Sequence, residues 1–405
     1  MEWPLRRLVI AIGFLFLSIN SLNKQLLLLD DQPTNTNNKL TNEMWHLMPL
    51  PERAWERMLF GIFTYDNTNE FDLRKAARET HLNYYKYYSE NADSIHGERN
   101  NIRADTICSL QELLTNSTLA RDAESCRIVY TFVTGGGIGN ENLKRHAKTM
   151  LRDDKDNSNA LAFKTRCLYD DPDCGGQDIN KWVLSNPQVN ISESMASELQ
   201  EYDDITFLSI PENHELGKTD TWFTYLAILT SQHPELQIGF VGKCDSDNLI
   251  RWPIFLDWIE RTQKDAIANY QYIYGGFMVN KYICSGKTWG KVCTKPGFIA
   301  ERFAPGAFVY ISTPLAHHVF MNGTTLERKR EVWIIGEDLQ LGNMVYSDPN
   351  ITDNEMDDNG KLYIMDHRRG GNNVNFHPLK TYDDIRNKWY ELYPDQKEVN
   401  ISTNF

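Results

Sequence analysis

The sequence predicts an α/β fold: one large domain with a mostly parallel central sheet flanked by helices. Three observations carry this. Apolar runs of strand length recur at 127–133, 204–209 and 236–241. Longer stretches of helical spacing or helix-like composition lie between them. Strand alternating with helix is the pattern of a sheet built from parallel strands. The chain is also large enough to bury a sizeable core, with 405 residues of which 41% are hydrophobic.

The elements are expected in this order. Residues 1–7 carry Arg6 and Arg7, and an apolar run follows from 8 to 19. Its length suits a signal peptide, while the preceding basic residues and the lack of a small-x-small cleavage site favour a retained signal-anchor. Residues 1–29 are therefore read as cytosolic tail and anchor, or as signal peptide. Residues 30–50 form a polar, Asn/Thr-rich stem. The domain proper spans 51–395, and 396–405 is a tail. Inside the domain, 52–60 reads as helix. So does 70–92, where Phe71, Leu73, Ala76, Ala77 and Thr80 fall near helical spacing. Residues 105–115 read as a further helix. The strand at 127–133 is closed by Gly135, Gly136 and Gly137, with a helix expected over 140–151. Residues 152–190 are rich in Asp, Asn and Gly and read as a surface insertion. Strand 204–209, helix 219–231, strand 236–241 and helix 252–269 complete the alternation.

Composition excludes some partners. The net charge of −13 repels phosphate backbones, so nucleic acid is not expected. Seven cysteines without a CxxC pair argue against structural zinc. The candidate disulfides are Cys108–Cys126, Cys167–Cys174 and Cys284–Cys293, leaving Cys244 over. Sequons at Asn116, Asn190, Asn322, Asn350 and Asn400 fit a lumen-facing domain.

Two acidic motifs stand out. Asp245 and Asp247 are delivered by an apolar strand to its C-terminal edge, where ligands of open α/β sheets bind. Two carboxylates so spaced can hold a divalent cation, which in turn bridges to phosphate oxygens. The alternative reading is a solvated acidic turn, as for Asp154/Asp156 and Asp171/Asp173 in polar sequence. Glu337 and Asp338 lie in an otherwise apolar stretch; they suit either a proton-accepting base or a helix N-terminal pair facing the dipole. The Gly-rich turn at 135–139 lacks GxGxxG spacing, and Gly217-Lys218-Thr219 lacks the upstream glycine of a P-loop.

Several segments resemble, in order, those of the β1,3-galactosyltransferase-like glycosyltransferases. They are Arg74-Lys-Ala-Ala-Arg78-Glu-Thr80, Tyr130 to Gly135, Glu201-Tyr-Asp-Asp-Ile205, and Glu212 to Thr219. Lys243-Cys-Asp-Ser-Asp247, Phe303 to Ser312, Glu337-Asp-Leu-Gln-Leu-Gly342 and His377-Pro-Leu-Lys380 continue the series. The likeness covers roughly 70–150 and 198–390, and two departures mark it: His81 stands at a Trp position and Ser246 at an Asp position. The resemblance implies a GT-A-like catalytic domain in the Golgi lumen, held by a single-pass type II anchor. It implies an inverting hexosyltransferase that moves galactose or an N-acetylhexosamine from a UDP-sugar to a glycan, glycoprotein or glycolipid hydroxyl, with β1,3 linkage. By position, Asp245, Asp247 and His377 would bind Mn²⁺, with His367 a weaker third ligand. Asp338, with Glu337 beside it, would be the base, and Arg78, Thr134, Lys243 and Asp245 would serve the nucleotide. Two other readings remain open: a catalytically inactive luminal sugar- or nucleotide-binding relative, and a nucleotide-dependent oxidoreductase built on the Gly-rich turn.

Overall fold

In a computed structural model of the chain, the described residues are 57–90, 103–122, 124–135, 191–208, 212, 218–283, 287–288, 291–292, 299–322, 337–346, 351, 362–367 and 374–396. The anchor, the stem, most of the Gly-rich turn, the helix expected at 140–151, the insertion at 152–190, the candidate pairs Cys167–Cys174 and Cys284–Cys293, and the tail from 397 on lie outside them. Among the described residues no helix is long and apolar enough to cross a membrane.

The strands are β1 Arg57–Phe63, β2 Ile107–Ser109, β3 Ile128–Gly135, β4 Ile205–Leu208, β5 Ile238–Asp245 and β6 Leu249–Ile250. They continue as β7 Tyr272–Gly276, β8 Val279–Ile283, β9 Lys287–Thr288, β10 Lys291–Val292, β11 Ile299–Phe303, β12 Phe308–Ser312, β13 Leu362–Asp366 and β14 Asn375–Phe376. An eight-stranded sheet runs β13-β7-β12-β5-β1-β3-β2, with β4 also on β3. β1 occupies one edge of β3; β2 pairs with the first half of the other edge and β4 with the second half. Pairing is parallel throughout except around β12, which runs antiparallel to both β5 and β7. The predicted mostly parallel sheet is therefore present.

The helix expected over 52–60 is corrected: 57–63 is β1, the strand between β3 and β5. A run as short as Met58 to Phe63 has no decisive period, and burial on both sheet faces makes it apolar throughout. Met58, Phe60 and Ile62 enter one core with Phe132, Phe240 and Trp252. Leu59 and Phe63 enter the opposite core with Val129, Trp222 and Val241. Arg57 opens the strand fully buried, its guanidinium donating to the carbonyls of Leu119, Ala120, Asp122, Ser125 and Leu236.

The single helix expected over 70–92 is two, α1 Thr68–Glu79 and α2 Tyr84–Glu90, separated at Thr80–Asn83. Residues 105–115 divide into a 3₁₀ turn, β2 and α3 Leu110–Thr115, which Ser109 and Glu112 cap reciprocally. Next come α4 Ser117–Arg121 and α5 Glu193–Tyr202. The helix expected at 219–231 is α6 Lys218–Gln232. The one at 252–269 is α7 Trp252–Trp258 joined by a π turn to α8 Lys264–Asn269. The remaining helices are α9 Thr313–His317, α10 Glu337–Tyr346 and α11 Tyr382–Leu392. Cys108 and Cys126 form a disulfide, and Cys244 is a buried free thiol.

His81, the residue at the Trp position, lies fully inside, where burial pushes its imidazole down to about 3. The unfolded chain binds that proton below pH ~6.5 and the folded chain does not until far lower. This contribution is thus present above that pH and lost as pH falls through it. Replacing His81 by Leu should flatten the acid limb. Between about pH 6 and about pH 4 the wild type should lose roughly 1.4 kcal/mol per pH unit more than His81→Leu. Urea denaturation of both proteins across this range measures it; parallel pH profiles would contradict a buried neutral His81.

Candidate metal centre

The site is built at the C-terminal end of β5. Lys243 and Asp245 are two residues apart on one side of the strand, and Cys244 points into the opposite core. At Asp245 the chain turns, with the Asn248 N–H bonded to the Asp245 carbonyl at 3.2 Å. β6 follows at once. It pairs antiparallel with β14, Phe376 opposite Leu249 and Asn375 opposite Ile250. This pairing returns the chain, over a hundred residues later, to the Asp245–Asp247 turn. The Leu379 N–H then donates to the Asp247 carbonyl at 2.8 Å, fastening the segment from its other side. His377 lies between these two anchors.

The three predicted ligands converge. His377 Nε2 is 3.2 Å from Asp247 Oδ1 and 3.8 Å from Asp245 Oδ2. One ligand atom from each of the three residues lies within 4.8 Å of the others. Two carboxylate oxygens and one imidazole nitrogen suit a first-row divalent cation such as Mn²⁺. The fit is supported by Asp247 Oδ1, a buried acceptor that receives no well-directed hydrogen bond despite the nearby imidazole. Burial alone would raise the Asp247 carboxyl, but His377 and Lys380 outweigh it and hold the group below its usual value. The nearby Asp247 carboxylate raises His377 against the opposing effect of burial.

Lys243 and Asp338 adjoin this group. The Lys243 ammonium is buried, 3.5 Å from Asp245 Oδ1 and 3.7 Å from Asp338 Oδ1, over the Phe63 ring. Asp338 lies in the first turn of α10, so the helix-terminal placement and the position beside the acidic pair hold together. Gly306 makes the approach possible: a Cβ there would meet Asp338 Oδ1 at 2.2 Å and Lys243 Nζ at 2.6 Å. Glu337 opens the same helix.

Other predicted residues go elsewhere. Arg78 forms a bidentate pair with Asp204, at 2.7 and 2.8 Å, and reaches Glu198 at 2.6 Å. Its planar group is stacked between Phe132 and Tyr202. Thr134 donates to Glu212 Oε2 at 3.0 Å from β3, two strand spacings (about 10 Å) from β5. His367 accepts or donates at Tyr310 Oη, 2.8 Å away, inside an aromatic cluster, and burial pushes it down to about 3. The weaker third-ligand candidate is therefore outside the group, and His377 holds that place. Lys218 bonds Glu212 and the Thr64 carbonyl, both at 2.8 Å, rather than forming a P-loop.

One residue that sequence reading missed holds the acidic turn. Glu70, in the first turn of α1, is buried beneath it. Ser246 donates to Glu70 Oε2 at 2.6 Å, and Thr64 donates to the same oxygen at 2.9 Å. Arg74 bonds Thr64 at 2.7 Å and forms a bidentate pair with Glu198. Desolvation raises the Glu70 carboxyl. The signal was available: Glu70 lies three residues before Leu73 and four before Arg74, on the face of α1 that also carries Ala77.

No known family matches this chain, and no curated protein matches it.

The geometry gives Ser246 a reason of its own. A carboxylate at 246 would stand against buried Glu70, whereas a hydroxyl donates to it. Ser246→Asp should weaken Mn²⁺ binding by about tenfold or more, a cost of ~1.4 kcal/mol, within the range of a lost charge-assisted bond. Adding Glu70→Gln should restore most of it. Calorimetric titration of both variants measures this; tighter Mn²⁺ binding by Ser246→Asp would show that the added charge faces the metal instead.

Proposed function

We propose that the protein is a metal-dependent glycosyltransferase of the inverting type, using a UDP-sugar donor and a glycan hydroxyl as acceptor. The observation that carries this reading is the convergence of Asp245, Asp247 and His377, with Asp338 linked to Asp245 through the Lys243 ammonium. A hard divalent cation bound by the three ligands would offset charge on a nucleoside diphosphate leaving group. The chain's own residues then have separate tasks. Asp245, Asp247 and His377 hold the cation. Lys243 fixes the spacing between Asp245 and Asp338. Asp338 accepts the acceptor hydroxyl's proton as its oxygen attacks the sugar carbon, with Glu337 beside it on α10. The ordered resemblance of the surrounding segments to the β1,3-galactosyltransferase-like enzymes favours galactose or an N-acetylhexosamine as the sugar and a β1,3 linkage.

The Cys108–Cys126 disulfide supports an oxidising compartment such as the Golgi lumen, with the segment at 8–19 as signal-anchor. Asn116, the sequon within that disulfide loop, is exposed and caps α4 through Oδ1, bonded to the N–H groups of Thr118 and Leu119. An inactive sugar- or nucleotide-binding relative gains nothing from Ser246, since the substitution leaves both flanking acids in the metal group.

A panel of UDP-sugars tested for Mn²⁺-dependent hydrolysis and transfer by the purified full-length chain decides between the readings. Asp245→Ala should abolish metal-dependent turnover. Asp338→Asn should keep UDP binding but lower transfer by about 10²-fold or more. Transfer at the normal rate by Asp338→Asn would remove it from the base role. UDP binding with Mn²⁺ but no turnover of any donor would establish the inactive relative.

A further inference from the structure

Asp247 faces two nitrogen-bearing side chains of different character. His377 Nε2 stands by Oδ1, on a segment fastened by the β6–β14 pairing and by the Leu379 N–H. Lys380 Nζ is paired with Oδ2. The Asp247 side chain is only 10% exposed, but that of Lys380 is 69% exposed. A solvated, flexible stem thus carries its charge inward to a mostly buried carboxylate. Thr381, the next residue, caps α11 through its side chain, bonding the Asp384 N–H. The backbone of Lys380 is therefore fixed at the rim of the cluster while its ammonium can leave.

We propose that Lys380 is a placeholder cation: metal entry displaces its ammonium from Asp247 Oδ2, and the freed ammonium then pairs with a phosphate oxygen of the metal-bound diphosphate. This rests on the metal and diphosphate reading above. A dication on Asp247 and an ammonium on the same carboxylate repel across its width. The dication also has His377 and Asp245, whereas an exposed lysine pair is held weakly and can dissolve into water. Cations of this class keep open positions for substrate phosphates. Lysine acts there as a mobile point charge, which a fixed guanidinium fork is not. Lys380 remains tethered one side-chain length from Asp247, with its stem in solvent.

The test separates the two halves of the proposal and isolates it from the metal reading. The full-length protein is titrated calorimetrically with Mn²⁺ alone, then with inorganic diphosphate at saturating Mn²⁺. Lys380→Met keeps the stem and removes the charge. It should bind Mn²⁺ alone about tenfold tighter, and diphosphate with Mn²⁺ about tenfold more weakly. Lys380→Arg keeps the charge on a less mobile fork, so it should bind Mn²⁺ alone no tighter than wild type and recover only part of the diphosphate affinity. Weaker Mn²⁺ binding by Lys380→Met would overturn the placeholder, because Lys380 would then be orienting Asp247 for the metal. Unchanged diphosphate affinity would overturn the phosphate contact. Failure of the wild type to take up Mn²⁺, or uptake by Asp245→Ala equal to wild type, would instead overturn the metal centre and the proposal with it.

Discussion

Glu70 is a carboxylate buried behind the acidic turn, and much of the site follows from the need to satisfy it. An unpaired buried charge is costly, so its oxygens must be reached by donors. Ser246 supplies one from the turn and Thr64 another from the end of β1. Thr64 is itself bonded by Arg74, which Glu198 of α5 fixes from behind, and Arg78 extends the chain from Glu198 to Asp204 at the start of β4. The Thr64 carbonyl meanwhile takes Lys218 at the start of α6, and Lys218 leads through Glu212 to Thr134 and the Gly135 N–H. One hydrogen-bonded network therefore joins the C-terminal ends of β1, β3 and β5. Each strand end is positioned by groups that cannot move singly without orphaning a neighbour.

That network explains why Arg78 and Thr134, predicted on the nucleotide side, are committed elsewhere. Their motifs were visible as motifs, but sequence order does not say which face of an element a polar side chain leaves from. Buried arginines of this kind support the ligand-holding loop from beneath. Their charge is paired with Glu198 and Asp204. In burial Arg74 resembles Arg57, whose donors go to backbone carbonyls at the opposite end of β1.

The parallel architecture was legible because strand and helix alternate, and β3, β4, β5 and α6 fall within a few residues of expectation. β1 was not, because six apolar residues covered on both faces carry no period to distinguish strand from helix. α1 and α2 merged for the opposite reason: Tyr84 and Tyr88 continue the apolar stripe past the break at Thr80. Asp245 and Asp247 could be singled out from the strand that precedes them. His377 could not be placed from its surroundings alone. Its position depends on a two-residue pairing between β6 and β14, too short to announce itself in any sequence. Glu70 and Gly306 are subtler still, since each matters through one close contact with a residue far along the chain.

Charge along the site alternates in sign: Asp338, Lys243, Asp245, His377, Asp247, Lys380. Three carboxylates thus face two ammonium groups and an imidazole whose pKa Asp247 and Asp245 raise. Each acid in the row has a nitrogen-bearing side chain beside it, which offsets the repulsion between carboxylates this close together. A dication arriving alone disturbs that balance, as does a diphosphate arriving alone. Under the proposed function the charges of metal and diphosphate offset one another. Electrostatic economy at this edge therefore favours joint binding of metal and diphosphate over either alone. The coupling resides in the spacing of side chains that the Glu70 network holds in place, and it requires no movement of the sheet.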